Sequence, residues 1–173
     1  MIQDGARRVG RGAVMLREIR REDAEALYRW RMDPESRPMF RSTAVVPFEK
    51  HLERLDDYFR PGNRDRWFVV EVDRRPVGTV SLYDFSPDAA EAEWGRLVIT
   101  PAERGRGFGG EAFALLLGHA RDLGLRRLRS VVLEGNEPSM AIHRRLGFRE
   151  VEVREEDGRR FVQLALDLEE TGR

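Results

Sequence analysis

Apolar residues first recur at strand spacing. Val14–Ile19 alternates, with Val14 and Leu16 inward, and predicts a short strand. Helical spacing follows over Arg21–Met32 through Ala24, Leu27, Tyr28 and Trp30 or Arg31. Asp33-Pro34 ends that helix, because proline disfavours a helical residue before it. Pro47 suits a helix's first position, and Phe48, Leu52, Leu55 and Phe59 mark a second amphipathic helix that Pro61-Gly62-Asn63 stops.

Three strands come next: Trp67–Val72 and Val77–Tyr83, joined by Asp73-Arg74-Arg75-Pro76, then Glu91–Thr100. Phe108–Leu123 is a strongly apolar helix with Gly124 at its C-terminal stop. Leu128–Leu133 is a strand and Pro138–Leu146 a short helix stopped by Gly147. Phe148–Val153 and Phe161–Leu168 form a hairpin across Asp157-Gly158. The order implies antiparallel hairpins around one right-handed parallel strand-helix-strand unit over 91–133.

Composition narrows the function classes. The 173 residues suit one domain, expected over 14–168, with a flexible Gly/Arg-rich arm at 1–13 and a tail at 169–173. The 31 basic and 31 acidic side chains cancel, which argues against nucleic acid or an anionic membrane as partner. Absence of cysteine excludes disulfides, thiolate metal sites and cysteine nucleophiles, and no metal is expected. No apolar run approaches the ~20 residues that span a bilayer, and no apolar core follows the basic N-terminus, so a cytoplasmic location is expected.

The chemistry concentrates in Arg104-Gly105-Arg106-Gly107-Phe108-Gly109-Gly110, which opens the apolar helix. Helix N-termini present unpaired N–H groups and partial positive charge, and glycines let the backbone approach phosphates closely. A P-loop is excluded, because no Gly-Lys-Ser/Thr follows. The spacing Gly105-x-Gly107-x-x-Gly110 matches a dinucleotide fingerprint, with Glu134 a plausible distance on. Thr100-Pro101-Ala102-Glu103 separates it from the strand, however, and too little chain follows to build that domain.

Arg104-x-x-Gly107-x-Gly109, set after Leu97-Val98-Ile99 and a Pro-containing turn, resembles the cofactor motif of the GNAT superfamily of N-acetyltransferases. A second block agrees: Asn136 and Ser139, the short helix with His143, and the closing Leu146-Gly147-Phe148. The likeness covers roughly 14–168, and two motifs in the right order make it specific. It implies an α+β, three-layer αβα fold: a mixed, mostly antiparallel sheet of about seven strands, about four helices, and splayed parallel central strands. It also implies an acetyl-CoA-dependent acyltransferase whose amine acceptor attacks the thioester directly.

The resemblance assigns roles residue by residue. Leu97, Val98, Ile99 and the backbone from Arg104 to Gly110 would line the coenzyme A site, with Arg104 and Arg106 adding charge at the phosphates. Asn136 and Ser139 would bond the pantetheine, and the N–H of Val98 or Ile99 would face the thioester oxygen. Glu93 would take the amine's proton, with Glu91 in reserve, unless Glu93 is a solvent-facing strand residue. His143 stands where many members carry tyrosine, as thiolate proton donor or as packing against the cofactor; it is also similar to the phosphinothricin-type branch. Trp30, Arg31, Arg37 and Phe40, with His51 beyond, resemble the acceptor arm of aminosugar-nucleotide, polyamine and ribosomal-protein classes; Trp30 and Phe40 also read as core and cap. Arg31, Arg37 and Arg41 near the entrance fit an anionic or zwitterionic small-molecule amine. Polyamine or N-terminal acetylation, and a non-catalytic coenzyme A-binding module, remain as alternatives. A homodimer is expected as the commonest assembly.

Overall fold

A computed structural model describes residues 8–9, 13–86 and 88–168. The expected tail and most of the expected N-terminal arm lie outside them. One sheet holds eight strands in the order β1-β2-β3-β4-β5-β6-β8-β7. These are β1 (Arg8–Val9), β2 (Val14–Glu18), β3 (Arg66–Val72), β4 (Arg75–Ser86), β5 (Glu91–Ile99), β6 (Arg127–Leu133), β7 (Arg149–Glu156) and β8 (Arg159–Asp167). Four helices cover it: α1 (Ala24–Met32), α2 (Phe48–Tyr58), α3 (Phe108–Asp122) and α4 (Glu137–Arg145). Arg21–Asp23, expected in the first helix, is a separate 3₁₀ turn, and two more such turns occupy Arg37–Met39 and Pro101–Glu103. Antiparallel pairing of Arg8 with Arg17 and Val9 with Leu16 gives the short β1, which the apolar pattern did not indicate.

Two apolar clusters lie on opposite faces of the sheet. Phe68, Leu82, Ala92 and Trp94 pack with Phe113 and Leu116 of α3 and Met140 of α4. Val69 and Val98 pack with Leu27 and Trp30 of α1 and Leu55 of α2. Sheet residues therefore alternate between an α3/α4 layer and an α1/α2 layer. Arg17 braces one corner: it is buried, with Nε 2.9 Å from Glu71 and Nη2 2.9 Å from Asp23.

All sheet pairs are antiparallel except β5 with β6. That parallel pairing covers only Glu91–Glu93 against Arg127–Arg129, although β5 continues to Ile99 and β6 to Leu133. The two central strands therefore splay apart beyond Glu93.

A bulge in β5 accompanies the splay. Thr79 opposes Val98 and Ser81 opposes Gly95, so Arg96 and Leu97 share the single partner position of Val80. Arg96 takes φ 53°, the left-handed conformation that admits the extra residue. Parity changes across it. Ala92 and Trp94 face α3 before the bulge; Leu97 and Ile99 lie beside Gly109 of α3 after it. Val98 turns to the α1/α2 side.

Gly78 fits closely against this bend. A Cβ there would lie 2.0 Å from the Val98 carbonyl oxygen, a backbone atom with no freedom to rotate away. Gly78→Ala is expected to destabilise the protein by about 3 kcal/mol, the scale of overpacking a closed site. The urea midpoint reads this, and an unchanged midpoint would contradict the tight approach.

Candidate functional site

The splay opens a slot between β5 and β6, and backbone groups line it. Thr100 donates its N–H to the Val77 carbonyl on β4, 2.8 Å away. By strand alternation the Val98 N–H also faces β4, while that of Ile99 faces the slot. The Ile99 carbonyl faces away from β4 too, accepting Arg104 Nε at 3.0 Å. Of the two oxyanion donors expected, geometry therefore favours Ile99, and Val98 serves as core. Leu97 and Ile99 present side chains to the first turn of α3, where a Cβ on Gly109 would lie 3.3 Å from Leu97 Cδ2.

Beyond the slot, Gly105 and Gly107 adopt φ 75° and 86°, which only glycine holds without strain. Gly107 caps the N-terminus of α3, and an added Cβ at either glycine would meet nothing within 4 Å. Open space thus lies before a 15-residue helix whose first N–H groups lack intrahelical partners. The ring of Phe108 is buried in the core, so that residue offers the turn only its backbone.

The charges at this turn are not those expected. Arg104 has turned away: Nη1 reaches Glu35 at 2.6 Å, Nη2 reaches Ser36 Oγ at 2.6 Å, and Asp33 lies 3.7 Å off. It bolts the α1–α2 connection to the end of β5, and carboxylates occupy its charge. Arg106 pairs with Glu103 and lies 4.9 Å over the Phe108 ring. Arg145, at the end of α4, takes the near position instead. A Cβ on Gly110 would lie 1.9 Å from its Nη2, so its guanidinium lies directly across the first turn of α3. Sequence spacing gave no sign of this, because the contact joins two separate helices.

Asn136 caps α4, its Oδ1 accepting from the Ser139 N–H at 3.3 Å, so only its amide group remains to donate elsewhere.

Glu93 is the last β5 residue paired to β6, so it stands at the apex of the splay. Its parity turns it toward the α1/α2 side, away from α3. It is buried at 9% exposure, and the Tyr83 hydroxyl donates to its Oε1 at 2.5 Å. Burial, and then the charge of Glu93, push the Tyr83 phenol well above its ordinary pKa, so it stays a donor. Arg96 at the bulge lies 3.8 Å over the Tyr83 ring. Tyr83 and Glu93 are direct cross-strand partners, a pairing visible only once the β4–β5 register is known. Glu91, the reserve candidate, instead faces Arg127 and Arg129 at 3.6 and 3.5 Å.

His143 corrects the expectation of a proton donor. It is 2% exposed, enclosed by Trp94, Phe113 and Phe148. The Trp94 indole, which can only donate, gives its N–H to Nε2 at 2.9 Å; Ser130 Oγ lies 2.9 Å from the same atom. That fixes the neutral tautomer, with Nδ1–H donating to the Ser139 carbonyl at 2.8 Å. Burial lowers the ring's pKa, only partly offset by the Ser139 carbonyl. The imidazole is a packed hub with both nitrogens engaged. Trp94, which no motif indicated, holds it there and stacks on Phe113 at 3.9 Å.

The acceptor arm divides similarly. Trp30 is 9% exposed in the core beneath Val98, so it supports the wall without lining it. Phe40 is partly buried, with the Arg31 guanidinium 4.5 Å over its ring. Arg41 pairs with Glu156 at 2.6 Å, and Arg159 donates to the carbonyls of Pro38 and Phe40 at 2.6 and 2.9 Å. The β7–β8 turn thereby clamps the arm. His51 is buried, its Nε2 3.0 Å from the Ala24 carbonyl, and is spent on holding α1 to α2.

Among the described residues, no group of three or more His, Asp or Glu could hold a metal ion. No helix among them is long and apolar enough to cross a membrane.

Residues 13–149 match the family model described as an acetyltransferase (GNAT) domain. The spermidine N(1)-acetyltransferase of Escherichia coli (strain K12) is 31% identical over 139 residues, covering 79% of this chain and 73% of that protein. The structure of Mycobacterium smegmatis RimJ in complex with CoA-disulfide aligns with TM-score 0.80 and 26% identity, over 97% of this chain and 90% of that one. Spermidine N-acetyltransferase from Vibrio cholerae, in complex with CoA and spermine, aligns at TM-score 0.82 over 90% of this chain and 95% of that one. At 18% identity it is a likeness of fold.

Proposed function

The chain belongs to the acetyltransferase (GNAT) domain family and is an acetyl-CoA-dependent N-acetyltransferase; from that premise we propose that it acetylates a small primary amine with Glu93 as general base. One observation carries the assignment. Glu93 is the buried carboxylate at the apex of the β5–β6 splay, and it faces the α1/α2 layer.

Acetyl-CoA supplies an activated acyl group on a good leaving thiol. The chain's residues do the rest. The N–H groups around Gly105–Gly110, with Arg145 above them, bind the diphosphate. Asn136 and Ser139 bond the pantetheine, while Leu97 and Ile99 wall its path. The Ile99 N–H holds charge that develops on the thioester oxygen. Glu93 accepts the ammonium proton, directly or through one water, because an amine with pKa near ~10 is almost wholly protonated at pH 7. A thiol with pKa near ~8.5 leaves without strong acid help, so the engagement of His143 is no obstacle.

Tyr83 acts through Glu93. Its hydroxyl holds one carboxylate oxygen and leaves the other to meet the amine. Tyr83→Phe is expected to lower kcat about tenfold, the scale of one hydrogen bond to a charged group, with the KM for acetyl-CoA unchanged. A fall in acetyl-CoA affinity with kcat intact would contradict the role.

The assignment as a whole is tested by free-thiol release from acetyl-CoA with a panel of small amines, polyamines and N-terminal peptides. Turnover of small amines is the expected result. Turnover confined to polyamines or peptides would overturn the proposed acceptor class.

A further inference from the structure

The acceptor arm is a strap that two arginines fasten. Over residues 33–40 its backbone turns on itself: the Arg37 N–H donates to the Asp33 carbonyl at 2.9 Å, Met39 to that of Ser36 at 3.0 Å and Phe40 to that of Arg37 at 3.2 Å. These bonds close within the segment and do nothing to fix it on the sheet. Phe40 packs against the cluster of Trp30 and Val98, so the arm covers β5 on the face that Glu93 shares. Arg159, from the β7–β8 turn, holds the far end through the carbonyls of Pro38 and Phe40. Arg104 holds the near end.

The contacts of Arg104 differ in weight. Glu35, 2.6 Å from Nη1, is 68% exposed, so that ion pair alone adds little. Ser36 is buried, and its Oγ accepts a charge-assisted bond from Nη2 at 2.6 Å. Nε meanwhile donates to the Ile99 carbonyl at 3.0 Å. A planar fork with one edge on the strand end and the other on the arm fixes both distance and orientation, which a point charge on a flexible stem does not. Arg104 also immediately precedes Gly105, the first left-handed residue of the glycine turn. One residue thus joins the cofactor turn by its backbone, the splay by Nε and the acceptor arm by Nη1 and Nη2.

We infer that Arg104 is a positioning residue for the acceptor: acting through Ser36 and Glu35, it holds the arm in register with the β5–β6 splay and so sets the affinity for the amine, while its side chain adds little to the hold on acetyl-CoA. The inference rests on the acetyl-transfer reading, in which the amine reaches Glu93 from the α1/α2 side.

The test compares two Michaelis constants, using whichever amine of the small-amine, polyamine and peptide panel turns over fastest, so that its outcome is independent of the acceptor class. Arg104→Gln should raise the KM for that amine about tenfold, the loss of a charge-assisted contact, and leave the KM for acetyl-CoA within about twofold. Ser36→Ala removes only the hydroxyl on the arm and should raise the amine KM alone by about threefold or more. The double variant should be no worse than Arg104→Gln, because both changes break the same interaction. Arg104→Lys keeps the charge without the fork and should fall between wild type and Arg104→Gln. Loss of folded enzyme lowers the apparent kcat without moving either KM, so the split separates positioning from a merely structural role. Calorimetric titration with coenzyme A checks the cofactor half with no acceptor present, and Arg104→Gln should bind it within about twofold of wild type. A tenfold weakening there would make Arg104 a phosphate ligand and overturn the inference. An amine KM unchanged in both Arg104→Gln and Ser36→Ala, or two KM values that rise together, overturns it as well. Failure of the underlying reading looks different: wild type would then acetylate no amine of the panel, and the inference would fall with it.

Discussion

Glu93→Gln is expected to lower kcat by about 100- to 10,000-fold, the range that a positioned general base contributes. The affinity for acetyl-CoA should stay within about twofold of wild type. The substitution keeps the side chain's size, and the amide can still accept from the Tyr83 hydroxyl, so the fold has little reason to change. What disappears is a buried carboxylate at the point where β5 and β6 part. Rapid mixing that follows thiol release separates this loss of chemistry from a loss of binding. If kcat held while acceptor KM rose, Glu93 would be a binding group, and water would take the proton unaided.

The second large effect is on stability. His143→Ala should destabilise the fold by about 2–5 kcal/mol, because it opens a void among Trp94, Phe113 and Phe148. The indole N–H of Trp94 loses its acceptor as well. His143→Phe restores the volume but not the acceptor, so it should lose only about 1–3 kcal/mol. In both variants kcat, measured cold where the protein stays folded, should remain near wild type. A selective fall in kcat at unchanged stability would return His143 to the role of acid.

The sign of the pH dependence follows from burial. His143 and His51 both titrate below their ordinary value, and burial is the leading cause in each. Below the unfolded value near ~6.5 the unfolded chain binds protons that the folded chain refuses, so stability falls as pH drops through that range. His143→Phe should flatten part of this acid limb in urea titrations between about pH 6.5 and pH 5.

The fold was legible wherever a local rule decided it. Leu52 and Leu55 at helical spacing, the glycine stop after α3 and the Asp157-Gly158 turn, with φ 49° and 72°, each follow from residues near in sequence. The glycine turn that opens α3 and the Asn136 cap of α4 were legible for the same reason, since each is formed by residues near in sequence.

What escaped depended on contacts across the chain. Arg104 reads as a phosphate ligand from its motif, but Glu35 and Ser36, 69 and 68 residues earlier, hold it. His143 reads as an acid from its place in the Asn136 block, but Trp94, 49 residues away, claims its lone pair. Val98 and Ile99 were indistinguishable because an unseen bulge at Arg96 resets the alternation of β5. Trp30 satisfied two descriptions at once, and burial under Val98 selected core. In each case the residue type was informative, and the partner that fixed its role lay on another element.

The central claim is that the β5–β6 splay holds the thioester between the Ile99 N–H and the Glu93 carboxylate. Electron density for bound acetyl-CoA tests it most directly. The account predicts the thioester oxygen within hydrogen-bonding distance of Ile99 N, the diphosphate on the N–H groups of Gly105–Gly110, and Glu93 on the acceptor side of the acetyl carbon. An acetyl group lying outside the splay, or on the α3 side with Glu93 screened from it, would contradict it.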